Sequence, residues 1–139
     1  MQHQYKLDHD VRIIVQKYIR KYDDFKKEID AKLADIFELH GLNYNDLDMP
    51  RGTDLTDTTG EAVAALIKLK NSHKYKIVKA IEHAIRFTIP ADIIDPIMLS
   101  CGDGRRWPYR SFQIPYSYSM FHQIKYKFMW EIAVALDIV

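Results

Sequence analysis

The side chains able to do acid–base, nucleophilic or metal chemistry are spread thinly along this sequence. His3, His9, His40, His73, His83 and His122 fall into no metal-ligand spacing, and a single cysteine, Cys101, cannot complete a zinc site. Gly102-Asp103-Gly104 is shorter than a phosphate-cradling loop, and no Lys-Ser or Lys-Thr pair follows it. Asp23 and Asp24 adjoin on what reads as a long helix, where a solvated edge is the ordinary outcome rather than an acid/base pair. Cys101 has no base beside it in sequence and reads as a buried core thiol. The expectation is no catalytic residue, no metal and no cofactor: not an enzyme.

A different chemistry gathers near the end of the chain. Between Gly102 and Trp130 only Asp103 opposes Arg105, Arg106, Arg110, Lys125 and Lys127. Local positive charge of this kind attracts phosphates even on a near-neutral protein. The last apolar-periodic segment carries Ser119, His122, Gln123, Tyr126 and Trp130 opposite its hydrophobic stripe. Serine, glutamine and tyrosine can hydrogen-bond base edges or phosphates, and glutamine suits adenine in a bidentate pair. The candidate DNA-contacting set is therefore Arg105, Arg106, Arg110, Ser117, Ser119, His122, Gln123, Lys125, Tyr126 and Lys127, with double-stranded DNA as the partner. The plainer alternative is a solvated helix face. Tryptophan at an outward helical position marks Trp130 as a subunit or polymerase contact, or else it packs against the N-terminal arm.

These residues need elements to position them. Leu7, Val11, Ile14, Tyr18, Tyr22, Phe25, Ile29, Leu33 and Ile36 recur at steps of three or four and predict a long helix over 8–39 that stops at Gly41. Its stripe must be covered by later helices or by a second subunit, which makes Tyr18, Tyr22, Phe25 and Ile29, with Trp130, the candidate protein interface. Residues 41–58, rich in aspartate, asparagine and glycine, read as a linker between an arm over 1–40 and a helical domain over 59–139. A second long helix is predicted over 59–87, capped by Thr58 or Thr59, with Val63, Leu66, Ile67, Ile77, Val78, Ile81, Ala84 and Ile85 on one face. A break at Ser72 is the alternative. Pro90 fits a first helical turn, Asp95-Pro96 restarts or kinks a helix, and Gly102 and Gly104 end it. The last helix, over 117–137 with Ser117 as N-cap, is expected to bury Met120, Phe121, Ile124, Phe128, Ile132, Ala135 and Leu136. No strand alternation persists, so the fold class is all-α, with a helix-turn-helix-like unit over about 90–139.

Bulk properties agree with a soluble globular chain. Hydrophobic residues make up 47% and charged residues 28%, and no apolar run is long enough for a membrane span. The N-terminus lacks a basic-then-apolar leader pattern and one cysteine suits a reducing compartment, so a cytoplasmic location is expected. The net charge of +1 is unevenly laid out: residues 1–58 carry nine Lys/Arg against twelve Asp/Glu, residues 100–139 five against three.

Four local patterns are similar to the phage late-transcription regulators of the RinA and ArpU type. Tyr22, Phe25, Glu28 and Ile29 resemble that family's first helix, and Thr59-Gly60-Glu61-Ala62-Val63 resembles the start of its second. Trp107 stands ten residues before Ser117, like the family's spacing from a core tryptophan to the cap of the recognition helix. Ser117, Met120, Phe121, Lys127, Phe128, Ile132, Ala133 and Leu136 resemble that helix and its close. The resemblance implies a helix-turn-helix akin to the promoter-reading part of sigma factors, and activation of late packaging or structural genes. On the activator reading the long helices are expected to dimerise or contact the host RNA polymerase. The chain departs from the pattern at Arg110 and Ser111, where apolar residues are expected, at Pro115 in the turn, and at His122, Gln123 and Tyr126, where relatives often carry cations. Fewer cations release fewer counterions, so a homo-oligomer is the expected DNA-binding form. The rival expectation is a non-catalytic helical interaction protein whose helix-turn-helix is degenerate and which binds a phage or host protein.

Overall fold

The computed structural model describes residues 5–39, 57–103 and 114–139, and every regular element among them is helical. In chain order these are α1 (His9–Leu39), α2 (Asp57–Lys70), α3 (His73–Thr88), a single 3₁₀ turn (Ala91–Ile93), α4 (Ile94–Asp103) and α5 (Tyr118–Ala135). The all-α reading holds, with a long N-terminal helix followed by shorter ones. The region between α1 and α2, and the segment holding Trp107 to Phe112, lie outside the described residues.

The predicted single helix over 59–87 is two helices. The interruption is Asn71-Ser72, and its cause is a local competition for backbone partners. The Ser72 hydroxyl donates to the Leu69 carbonyl at 2.6 Å, closing α2, and accepts from the Tyr75 amide at 3.3 Å, opening α3. One short polar side chain thus serves two helix ends, the role for which serine is favoured over a helix interior. The break resets the helical phase. In α3 the expected Ile77, Val78, Ile81 and Ala84 are buried, but in α2 the buried residues are Ala62 and Leu69, while Val63 and Ile67 face solvent. α2 also begins at Asp57, ahead of the threonines expected to cap it.

Two compact units divide the chain: Met1–Tyr22 with Ile77–Val139, and Asp23–Lys76. In the first, Val15 and Ile19 of α1 are buried along with Leu7, whereas Ile14, expected on the inner face, is substantially exposed. α4 crosses α1 at Gly102, where a Cβ would stand 3.3 Å from the Arg20 side chain, so the absent side chain is what permits the approach. Pro90 precedes the 3₁₀ turn, and Pro96 sits in the first turn of α4, where its missing amide leaves no helical hydrogen bond unmade. α4 packs on α5, whose Phe121, Phe128, Met129, Ile132 and Ala133 are buried. In the second unit Ile29 is buried, and Lys74 of α3 pairs with Glu28 at 2.7 Å while its ammonium lies 5.4 Å from the Phe25 ring. That hydrogen bond, foremost, holds the Glu28 carboxyl below its ordinary range. Part of the α1 stripe is therefore covered by the chain's own α3.

Candidate nucleic-acid interface

The site is built on α5, and its geometry begins at Ser117. With extended backbone (φ −64°, ψ 158°) Ser117 accepts the Met120 amide on its side chain at 3.1 Å, as an N-cap does. The far end closes as firmly. Asp137 adopts φ 58°, the Ile138 amide donates to the Ala133 carbonyl at 3.0 Å, and the Asp137 amide donates to the Val134 carbonyl at 3.1 Å. That pair of bonds is a Schellman motif with an aspartate in the left-handed position. A helix fixed at both ends, with Phe121, Phe128 and Ile132 wholly buried beneath it, presents its outer face rigidly.

On that outer face Ser119, Gln123 and Lys127 are exposed at four-residue steps, one row along the helix. Met120, expected in the core, is 46% exposed and extends the row, with Tyr118 exposed beside it. Met129, on the opposite flank of the buried stripe, is buried instead. The remaining candidates are placed differently. His122 is half-buried in an aromatic cluster, its ring centroid 4.2 Å from Tyr118, 5.7 Å from Phe121 and 6.1 Å from Tyr126, and both its nitrogens are shielded from solvent. Tyr126 is half-buried in the same cluster. Lys125 is half-buried near Cys101, whose thiol burial pushes up to about 12 against the small opposing pull of that ammonium. Cys101 is a buried core residue. Arg105, Arg106 and Arg110 lie outside the described residues.

Trp130 is half-buried rather than open to water. Tyr5 meets it edge-on with ring centroids 6.2 Å apart, and the Lys127 ammonium lies 5.9 Å from the Tyr5 ring. Tyr5 of the N-terminal segment thus covers part of this tryptophan. Among the candidate interface residues, Tyr18, Tyr22 and Phe25 are half-buried and Ile29 is buried.

Elsewhere, an open groove of about 390 Å³ between α1 and α2 has an apolar floor of Ile36, Ala65 and Leu69 and a rim of Lys32, Asp35 and Lys68. Among the described residues no three His, Cys, Asp or Glu side chains converge as a metal site would require, and no helix is long and apolar enough to cross a membrane. Asp23 and Asp24 are both exposed. No protein-family model, curated protein or solved structure matches the chain.

Proposed function

We propose that this chain is a sequence-specific DNA-binding regulator, of the kind that activates late packaging and structural genes of a bacteriophage from within the bacterial host cytoplasm. One observation carries the reading: the row Ser119, Gln123 and Lys127 stands exposed on a helix capped at both ends and backed by a closed apolar core. A recognition helix needs this combination, because base edges are discriminated only by side chains held in fixed register above the groove. The arginine-rich stretch just before the helix would supply phosphate contacts, and the resemblance to the RinA and ArpU regulators points to the same segment.

The test is fluorescence anisotropy of the full chain with labelled fragments of the genome that encodes it, at two salt concentrations, with random duplex as competitor. Saturable binding to one fragment that survives competitor is the expected result. Equal, feeble binding to every fragment that vanishes with salt would overturn it. The apolar exposure of Tyr118, Met120 and Val134 on the same helix favours a second reading, a non-catalytic helical protein that docks on a phage or host protein. Under that reading the anisotropy experiment is negative, and replacing Met120 weakens the protein–protein contact.

A further inference from the structure

The outward face of α2 is apolar where a surface helix is ordinarily polar. At about 100° per residue, Gly60, Ala64 and Ile67 line the side opposite the buried Ala62 and Leu69, with Val63 flanking them. Ile67 is 55% exposed and Val63 37% exposed, among the larger uncovered hydrophobics of the chain. Gly60 has open space around its Cα, with nothing within 4 Å of where a Cβ would be. Such a face calls for an occupant, and the charges beside it indicate which. Glu61 and Lys68, both exposed, flank the apolar row on the same edge, two turns apart.

We infer that α2 is the self-association surface of this protein, pairing antiparallel with α2 of a second copy about a two-fold axis between Ala64 and Ala65. In an antiparallel helix pair, edges of the same kind meet. A centre at that level sets Glu61 against Lys68 of the second copy, and the two-fold repeats the pair with roles exchanged. The same register drops each Ile67 into the space between Gly60 and Val63 of the other copy, where a residue without a side chain leaves room. A parallel two-fold pair sets opposite edges together and leaves Glu61 and Lys68 out of reach of each other, so only the antiparallel arrangement gains these two pairs. One pair of helices this short buries less than the 1,200–2,000 Å² of a standard stable interface, at about 25 Å of contact length at most. The dimer is accordingly weak, forming in the micromolar range or above. The inference stands whether or not α5 reads DNA.

Sedimentation velocity of the full chain, from micromolar to millimolar concentration, is the measurement. Wild type should shift from monomer to dimer with concentration. Ile67→Glu should weaken dimerisation roughly tenfold or more, since it sets two carboxylates in the contact. Because Ile67 faces solvent, that variant keeps its fold, which far-UV circular dichroism checks. Glu61→Lys and Lys68→Glu should each weaken the dimer by roughly fivefold, and the double reversal should restore it, because only a pairing between copies converts two unfavourable changes into a favourable one. A wild type that stays monomeric to millimolar concentration overturns the inference. So does a dimer indifferent to Ile67→Glu, or a double reversal no better than its single variants. A negative DNA-binding experiment leaves every one of these outcomes unaffected.

Discussion

Gln123 and Lys127 stand one helical turn apart on the same exposed row, and they separate two kinds of DNA contact. A glutamine amide can satisfy both the donor and the acceptor on an adenine edge, so Gln123→Ala should reduce discrimination between target and mutated site by about 1–3 kcal/mol while leaving random-sequence binding unchanged. An ammonium meets phosphate, which every sequence carries. Lys127→Ala should therefore weaken all duplexes alike and lower the salt slope by about one. Competition anisotropy with matched and mismatched duplexes reads both effects, and the two variants behaving alike would remove the distinction. At the same scale, Cys101 is a thiol that burial holds protonated, its pKa raised from about 9.0 to about 12. It should resist a thiol reagent at pH 8 in the native state and react once the chain is unfolded. The unfolded thiol loses its proton near pH 9 and the native one near pH 12, so above pH 9 the native state holds the extra proton. The corresponding stability, complete below pH 9, declines as pH rises from 9 toward 12. Rapid labelling of the native protein at pH 8 would count against a closed core at α4.

Among the elements, α5 has the most sharply defined ends, and one of them is imperfect. Asp137 occupies the left-handed conformation that glycine takes without penalty, and it places a carboxylate at the negative end of the helix dipole. Asp137→Gly should remove both costs and stabilise the protein by about 0.5–1 kcal/mol, visible as a raised Tm. A lowered Tm would mean that the aspartate side chain contributes more than its backbone costs. This end also shows what the amino-acid order could and could not reveal. Helix type and the extent of α1 follow from apolar residues at steps of three or four, a signal local enough to read directly. Ser117 as a cap was legible for the same reason, since its bond reaches only to Met120. The break at Ser72 was harder. Apolar residues continue on both sides of it, so a stripe could be drawn through, and only the shared hydroxyl decides between one helix and two. The exchange of Met120 for Met129 in the core has a different origin. Both methionines flank the Phe121–Phe128–Ile132 stripe, and which flank is covered depends on what packs there. Likewise, nothing near Trp130 in sequence announces that Tyr5 lies across it. The exposed row of the candidate site was partly legible: Ser119, Gln123 and Lys127 stand where periodicity puts them, whereas His122 and Tyr126 turn toward each other because aromatic rings at helical spacing gain more from mutual contact than from water.

For the whole molecule, the near-zero net charge conceals the feature that governs how it would meet DNA. The first 58 residues carry three more acidic than basic groups, while the stretch from Gly102 to Trp130 holds five cations against one acid. A polyanion approaching the chain meets repulsion from one part and attraction from another. At about 0.1 M salt the screening length is about 10 Å, so only charges within about that distance of a bound phosphate act on it appreciably. Each phosphate neutralised by the cationic stretch releases condensed counterions, with a slope of about −0.9 per contact in a plot of log affinity against log salt. Arg105, Arg106, Arg110, Lys125 and Lys127 together set a ceiling of about −4.5 per copy, or about −9 for a dimer bound at two half-sites. The half-burial of Lys125 beside Cys101 makes it the weakest contributor of the five, which places the expected slope nearer −3.5 per copy. Measured between 50 and 300 mM salt on the specific fragment, a slope of that size falling by about one with each of Arg105→Ala and Arg106→Ala would assign the phosphate contacts to the stretch before α5. A slope near zero with affinity intact would mean that the charge asymmetry does no electrostatic work on DNA. A slope steeper than the ceiling would require cations from outside the Gly102–Trp130 stretch as well.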